Sequence, residues 1–437
     1  MIPSARYIIF WLLDFFKGSM VRWHYNSLKK INEDHGSSFS IAERKRYLSD
    51  ILQHSVNTVP FYKDLGLKDI RLDQFPITNK NLIKNNKDAF RSLAYQNEKI
   101  HYASTSGSTG VPFTIAYNTD KKHRRTAEVH FFGELVGHTL GTRFIYIKIW
   151  NDHNKKGKLT QKAQNIIPID VFELNDHKIA ELIENLKATK SPKSILAYAS
   201  ALDTIVKYLD RNPTNLLNTG IISVIAMSET LEDYTKSALK KIFGCPVVSR
   251  YANIENGIIA QQTSEFQNNF MLNLGSFHIE VLDLQDDVPV KNGETGRIVI
   301  TDFFNKAMPL IRYDTGDLGV LGKEENEGRT HYIFKKIEGR KMDMIYNTRG
   351  EILSSYVISG IMWEYTELKQ YQFIQKGTKY YEIKLNSEES FKRENDMLQD
   401  FKNVLGNDAV IAVTYVDEIP LLASGKRKKV MNTMQAT

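Results

Sequence analysis

The segment Tyr102–Ile115, YASTSGSTGVPFTI, sets five hydroxyls and two glycines between two runs of strand-forming residues. Ser104, Thr105, Ser106, Ser108 and Thr109 can each donate an O–H. Gly107 and Gly110 permit positive φ and close backbone approach, so the loop can wrap a polyphosphate with donors. The competing reading is a polar surface turn, and context has to separate the two. It is not a P-loop, because the lysine of GxxxxGK[ST] is missing and no GxGxxG spacing replaces it.

Three later strings supply that context: RYANIENG (Arg250–Gly257), MPLIRYDTGDLG (Met308–Gly319) and SGKRKK (Ser424–Lys429). In the second, Asp317 follows Thr315 and Gly316 at an expected tight turn. A carboxylate there can accept two ribose hydroxyls at once, and a cleft strengthens such bonds; the alternative role is that of an Asx-turn former. In the first string Tyr251 and Glu255 stand at i and i+4. In the third, Lys426 is set apart by its position after Gly425, while Arg427, Lys428 and Lys429 are expected to be solvated.

A hydroxyl and glycine loop, an aromatic followed four residues on by a glutamate, TGD after a tyrosine, and a terminal GK come in an order that resembles the adenylate-forming superfamily. Within it the chain looks like the phenylacetate–coenzyme A ligase branch, including its CapK-like members from surface-polysaccharide pathways. HSVNTVPFYKDLGL (His54–Leu67) and FPITNKNLIKNN (Phe75–Asn86) extend the resemblance over nearly the whole chain. It implies ATP-dependent activation of a carboxylic acid to an acyl-adenylate with release of pyrophosphate. Transfer then follows to a thiol or amine acceptor: coenzyme A, a carrier protein or an amino sugar.

The resemblance also implies roles. Ser104, Ser106, Gly107, Ser108, Thr109 and Gly110 would hold the nucleotide phosphates, and Thr105 would join Glu255 and Lys426 as catalytic. Glu255 would help hold Mg²⁺, since one carboxylate plus phosphate oxygens is the usual protein arrangement for that ion. Tyr251 would lie near the adenine and acyl group, with Asn253 beside it on the nucleotide. Ser228 and Glu229 resemble the adenine-side turn, Arg340 would approach the ribose, and Lys426 would bridge the carboxylate and the α-phosphate. In EGRKMDMI either Met342 or Asp343 is the pivot of a moving terminal domain, Asp343 being preferred. Tyr146, Trp150, Ala226 and Met227 are candidate walls of the acid pocket. Two departures stand out: Ile254 replaces the threonine most relatives carry before that glutamate, and Phe113 stands where many loops read PK.

The elements that must position these residues form an α/β fold. The spacing predicts helices from about Ala5 to Val56, stopped at Pro60, and a strand, the phosphate loop and a returning strand from Lys99 to Ala116. A helix over Asp120–Val136 follows, with Asp120 as N-cap. FIYIKIW, IIPIDVF, SILAYA, ISVIAM and VVSRYA are expected strands. DHKIAELIENLKA, ALDTIVKYLD and YTKSALKKIF are the helices among them, and NDHNKKGK is a loop. That alternation implies parallel βαβ units with ligands beyond the C-terminal strand ends. After Phe270, FHIEVLDL, GRIVITDF and LGVLG read as antiparallel strands of a small barrel-like sheet. The expected division is a large domain over 1–338 carrying the ATP and carboxylate site, and a small mobile α+β domain over 339–437 carrying Lys426.

Composition sets limits. The chain has 437 residues, 42% of them hydrophobic and 25% charged, which suits a globular protein of two or three domains. A net charge of +7 without a nucleic-acid-reading signature implies a solvated basic surface that also suits anionic substrates. Cys245 is the one cysteine, so no internal disulfide forms, and with no secretory leader a reducing cytoplasm is expected. His278 is isolated and no CxxC exists, which excludes a thiolate zinc site; no GxSxG supports a serine hydrolase. The run Tyr7–Phe16, YIIFWLLDFF, is too short to span a bilayer and is interrupted by Asp14. It either packs on its own protein or rests as an amphipathic helix on a partner or at the inner membrane face. The rival to a catalytic reading is a nucleotide-binding scaffold that has lost turnover and is attached to a membrane assembly through this run.

Overall fold

The structure is a computed structural model that describes residues 4–104, 113–150, 157–266, 268–340, 344–353, 355–362, 364–387, 391–422 and 425–434. Thr105, Ser106, Gly107, Ser108, Thr109 and Gly110 of the phosphate loop lie outside the described residues, as do the pivot candidates Met342 and Asp343.

Three helices open the chain: α1 (Ala5–Phe16), α2 (Met20–Asn32) and α3 (Ser38–Thr58). Asp14, which interrupts the apolar run, is buried and accepts from the amides of Val21 (3.0 Å) and Arg22 (2.9 Å), so its charge satisfies the start of α2. Pro60 ends α3 as expected and occupies the first position of a short helix, Pro60–Lys63, where a missing N–H costs nothing.

The strands that follow are β1 (Thr78–Asn79), the hairpin β2 (Ile100–Ser104) and β3 (Thr114–Asn118), β4 (Arg143–Lys148), β5 (Ile166–Asp170), β6 (Lys193–Tyr198), β7 (Ile221–Met227) and β8 (Val247–Asn253). Then come β9 (Gly257–Gln262), β10 (Phe270–Leu272), β11 (Phe277–Leu282), β12 (Thr295–Asp302), β13 (Tyr313–Asn326) and β14 (Arg329–Arg340). One 12-stranded sheet takes in all but the hairpin, in the order β11-β12-β13-β14-β10-β9-β8-β7-β6-β4-β5, with β1 alongside β13. From β8 to β5 neighbouring pairs are parallel; from β8 to β11 they are antiparallel. The barrel-like part is thus hydrogen-bonded edge to edge onto the βαβ part, and the change of direction falls at β8.

Strand alternation explains the packing. Ile145, Ile147, Val224 and Ala226 face one way, into a core with the helices Asp176–Ala188, Ala199–Arg211 and Asp233–Phe243. Tyr146, Ile225 and Met227 face the other way. The helix at residue 119 differs from expectation: it spans Thr119–Glu134 after Asn118, and Asp120 sits in its first turn. Asp120 accepts from the buried His24 ring at 2.8 Å instead of capping. A helix over Lys158–Gln164, KLTQKAQ, was not expected, because it carries no apolar stripe.

A separate core gathers Ile345, Phe373, Ile383, Met397, Phe401 and Val430. There a four-stranded sheet, ordered Val410–Tyr415, Tyr380–Ser387, Leu368–Gln375, Val430–Asn432, packs with the helices Ser355–Met362 and Glu394–Leu405. The large sheet before it runs through β14 to Arg340.

Candidate active site

The site forms where β7 and β8 end and β13 folds over them. In β13, Leu318 faces Arg297 and Asp314 faces Val299, so Thr315, Gly316 and Asp317 together oppose the single Ile298. TGD is therefore a bulge inside a long strand and not a tight turn. Gly316 takes φ +78°, which a side chain would resist. The Asx role belongs to Asp314, which accepts from the Gly316 amide at 2.8 Å and is held by Arg297 at 3.1 Å.

The bulge aims Asp317 at Tyr251. The Tyr251 phenol donates to Asp317 Oδ2 at 2.8 Å and lies 3.3 Å from Thr315 Oγ1, which also accepts from the Asp317 amide at 3.2 Å. Burial and the adjacent carboxylate hold the phenol well above its ordinary range, so it remains a proton donor at any working pH. Arg340 stands directly opposite Asp317 in the β13–β14 register.

Glu255 follows β8 in the turn to β9. The Tyr313 phenol donates to its Oε1 at 3.4 Å, and burial followed by Glu255 pushes that phenol up as well. Asn253, expected to contact nucleotide, uses its side-chain oxygen to close this turn on the Asn256 amide at 2.7 Å. Ile254, the departure from the family pattern, is exposed.

Ser228 takes a left-handed φ of 71° just after β7, beside β8 through the Met227–Arg250 pair. Its carbonyl accepts from Lys426 Nζ at 3.1 Å, a contact across 198 residues. Gly425 takes φ +66°, and a Cβ there would run into Ile149. The glycine thus lets the terminal loop lie against the large body and deliver Lys426. Glu229 Oε2 accepts from the Ser200 amide at 3.0 Å, satisfying the start of the helix Ala199–Arg211. It fixes the turn that carries Ser228.

Of the pocket candidates, Tyr146, Trp150 and Met227 come together. The Trp150 indole donates to the Tyr146 carbonyl at 3.1 Å, the two rings meet edge to face at 5.3 Å, and Met227 packs on the Tyr146 side. Ala226 is buried on the opposite face, because adjacent strand residues point apart. Ser104, the described end of the phosphate loop, shares a 2.7 Å hydrogen bond with Thr114 across the hairpin.

Two groups of residues went unread in the sequence. Tyr313 and Thr315 share the Asp317 face, and the i, i+2, i+4 spacing of a strand was their signal. Lys429, expected to be solvated, lies 3.2 Å from Asp203 and 3.7 Å from Glu232 of the large body. Arg427 pairs with Glu418 at 3.0 Å. Nothing local marks a lysine in a basic run as one that meets partners two hundred residues away.

Among the described residues no group of three His, Cys, Asp or Glu could cage a metal by itself. One half-buried carboxylate, Glu255, on a turn between strands fits an ion whose remaining ligands are phosphate oxygens and water.

Residues 345–433 match the CapK C-terminal domain family. Protein CapK of Staphylococcus aureus is 21% identical over 444 residues, covering 96% of this chain and 95% of its own. A phenylacetate–coenzyme A ligase of Thermus thermophilus is 22% identical, with 81% of this chain and 82% of its own covered. Among solved structures, 2-hydroxyisobutyryl-CoA ligase in the postadenylation state with 2-HIB-AMP superposes with a TM-score of 0.74 at 15% identity, over 92% of this chain and 91% of that one. The same enzyme in the thioesterification state gives 0.60 at 16% identity over the same shares. The chain is a homologue of CapK and of the phenylacetate–coenzyme A ligases, with the fold of the adenylate-forming coenzyme A ligases.

Proposed function

We propose that this protein activates a carboxylic acid with ATP, forming an acyl-adenylate and pyrophosphate, and then passes the acyl group to coenzyme A. The observation that carries the reading is that Tyr251 in β8 holds Asp317 while Lys426 reaches Ser228 just after β7, the strand beside it. A chain that only bound nucleotide has no need to bring a lysine from its terminal body to that point.

The chain's residues divide the work. Asp317, aimed by the bulge and its Tyr251 bond, is a ribose acceptor, and Arg340 opposite it approaches the same sugar. Lys426 offers its ammonium where negative charge gathers as the carboxylate attacks the α-phosphate in line, so catalysis is positioning plus charge stabilisation. Mg²⁺ bound at Glu255 would supply further charge compensation at the phosphates. Tyr146, Trp150 and Met227 wall the acid side, and Ser104 with the loop after it serves the phosphates. Thr105 and Lys426 are assigned to the chemical step.

The finer parts of the proposal rest on the family likeness. The setting is surface-polysaccharide biosynthesis at the inner face of the membrane, where a carrier-protein thiol or an amino sugar can replace coenzyme A as acceptor. The small domain from about residue 339 swings about Asp343, because Lys426 seated at Ser228 obstructs a bulky acceptor.

The test is carboxylate-dependent ATP–pyrophosphate exchange over a panel of acids, with equilibrium ATP binding measured beside it. Asp317→Ala should weaken ATP binding, whereas Lys426→Ala should leave binding intact and abolish exchange. Equal loss of ATP affinity in both variants contradicts the roles assigned. ATP binding with no exchange for any acid favours the scaffold.

A further inference from the structure

Helix α1 is apolar on nearly every side, and its own protein covers only part of it. At about 100° per residue, Tyr7, Phe10, Trp11 and Asp14 occupy one arc of roughly 100°. These are the residues that face inward. Trp11 is buried, with Phe10 at 5.0 Å and Tyr25 at 6.0 Å between ring centroids. The remaining arc, about 160° wide, holds Ile8, Ile9, Leu12, Leu13, Phe15 and Phe16, between 49% and 79% exposed. Trp23, on the first turns of α2, is 48% exposed as well. A helix apolar all round is normally covered all round, and an exposed patch of this kind marks an interaction surface.

Charge identifies what covers it. Asp14 is the one acidic residue among residues 1–32, against Arg6, Lys17, Arg22, Lys29 and Lys30. That carboxylate is buried and turned inward onto the amides of Val21 and Arg22. Arg6 and Lys17 are exposed and border one edge of the outward arc, at opposite ends of the helix, and the Arg22 guanidinium lies 4.0 Å from the centroid of Trp11. The helix Lys158–Gln164, whose Lys162 carbonyl accepts from Arg6 at 3.3 Å, adds Leu159 at 86% exposure beside Lys158. The patch is therefore apolar at its centre and cationic at its rim. A second copy suits it poorly, because a two-fold seam would bring the same cations together with no carboxylate to meet them. An anionic lipid surface suits both parts: hydrocarbon takes the aliphatic and phenyl side chains, tryptophan sits at headgroup level, and the rim cations meet phosphates. Among the described residues no helix is long and apolar enough to cross a membrane, so α1 would lie in the interface and not span it.

We propose that the outward face of α1 docks this protein on anionic membrane surfaces. The inference stands apart from the reaction proposed above, and its test needs no turnover. The purified full chain is mixed with vesicles of phosphatidylethanolamine and phosphatidylglycerol, or of phosphatidylcholine alone, and the bound fraction is measured by co-flotation. Binding should favour the anionic vesicles and weaken as added salt screens the rim; each rim cation near the surface contributes about fivefold. Phe16→Glu and Leu12→Glu should each lower partitioning by about tenfold or more, with the circular dichroism and melting temperature of the parent. Arg6→Gln with Lys17→Gln should lower it for anionic vesicles only. Phe16 is the more exposed of the two apolar positions and keeps the test decisive if Leu12→Glu fails to fold. Failure to bind either vesicle, binding unchanged by Phe16→Glu, or equal binding to both vesicle types overturns the proposal. So does a dimer in sedimentation velocity that Phe16→Glu dissociates, which makes the face a seam between copies.

Discussion

Replacing Lys429 by methionine should release the terminal body from the large one while leaving each folded. The ammonium lies 3.2 Å from Asp203 and 3.7 Å from Glu232, and Lys207 answers it from the other side by donating to the Leu368 and Lys369 carbonyls at 2.9 Å each. Burial opposes the charge on Lys429, but Asp203, Tyr371 and Glu232 outweigh it and hold the lysine well above its usual range. Asp203, despite its own burial, is held below the usual carboxylate range by Lys429 and Lys207. Breaking a fully buried pair from one side costs roughly 3–5 kcal/mol. Here Lys429 keeps 20% of its side chain exposed and Asp203 13%, so about 2 kcal/mol is the better figure once solvent screening is allowed for. That is about a 30-fold shift away from the docked arrangement. Methionine keeps the volume and strips Asp203 and Glu232 of the Lys429 ammonium, a loss that matters only while the bodies stay together. Small-angle scattering should show a larger radius of gyration, and single-turnover adenylation should slow more than acyl transfer from preformed adenylate. Asp203→Asn combined with Lys429→Met should recover part of the loss. An unchanged scattering profile together with equal slowing of both steps would refute the reasoning.

The same latch fixes a pH dependence. Asp203, with a lowered pKa, contributes above the ordinary carboxylate value and loses its contribution as pH falls through the lowered one; Lys429, with a raised pKa, contributes below the ordinary lysine value and loses its contribution only as pH rises through the raised one. Docking followed by scattering should therefore be flat across neutral pH and weaken in acid. Asp302→Asn should lower stability by about 3 kcal/mol or more, because it strips the buried Lys121 ammonium of the carboxylate 2.7 Å away, and chemical denaturation measures it. Gly257→Ala should cost about 2 kcal/mol or more, since φ there is +111° and the new Cβ would meet Glu128 Oε2 at 2.8 Å; a melting temperature equal to the parent's contradicts this.

What was legible in the sequence was whatever local pattern determines. The helix Asp176–Ala188 coincides with DHKIAELIENLKA, and the alternation from Ile166 to Asn253 gave the parallel sheet, because periodicity of 3.6 or 2 records which face is buried. The strings around Tyr251 and Asp317 held two residues that the fold joins by a hydrogen bond, and the string around Lys426 held one that reaches the Ser228 carbonyl. What stayed illegible depends on distant partners. Thr315 to Asp317 look like a turn until β12 pairs on both sides of them. Asp120 looks like a cap until His24 arrives from α2. Ala226 and Met227 both look like pocket walls until the sheet's faces are assigned. The polar helix Lys158–Gln164 leaves no periodic trace.

The strand β14 ties two of these features together. Its last residue pairs with Asp317, and the terminal body follows it in sequence, so on the proposed function the strand is at once a wall of the nucleotide site and the tether of the part that moves. Occupancy and orientation are then two readings of one equilibrium. By thermodynamic reciprocity, a ligand at Asp317 that favours one orientation of the terminal body must itself be bound more tightly in that orientation, by the same factor. On the proposed function, a nucleotide that distinguishes the two orientations has its affinity changed by a mutation that merely loosens the Lys429 latch, without any change to the groups that touch the nucleotide.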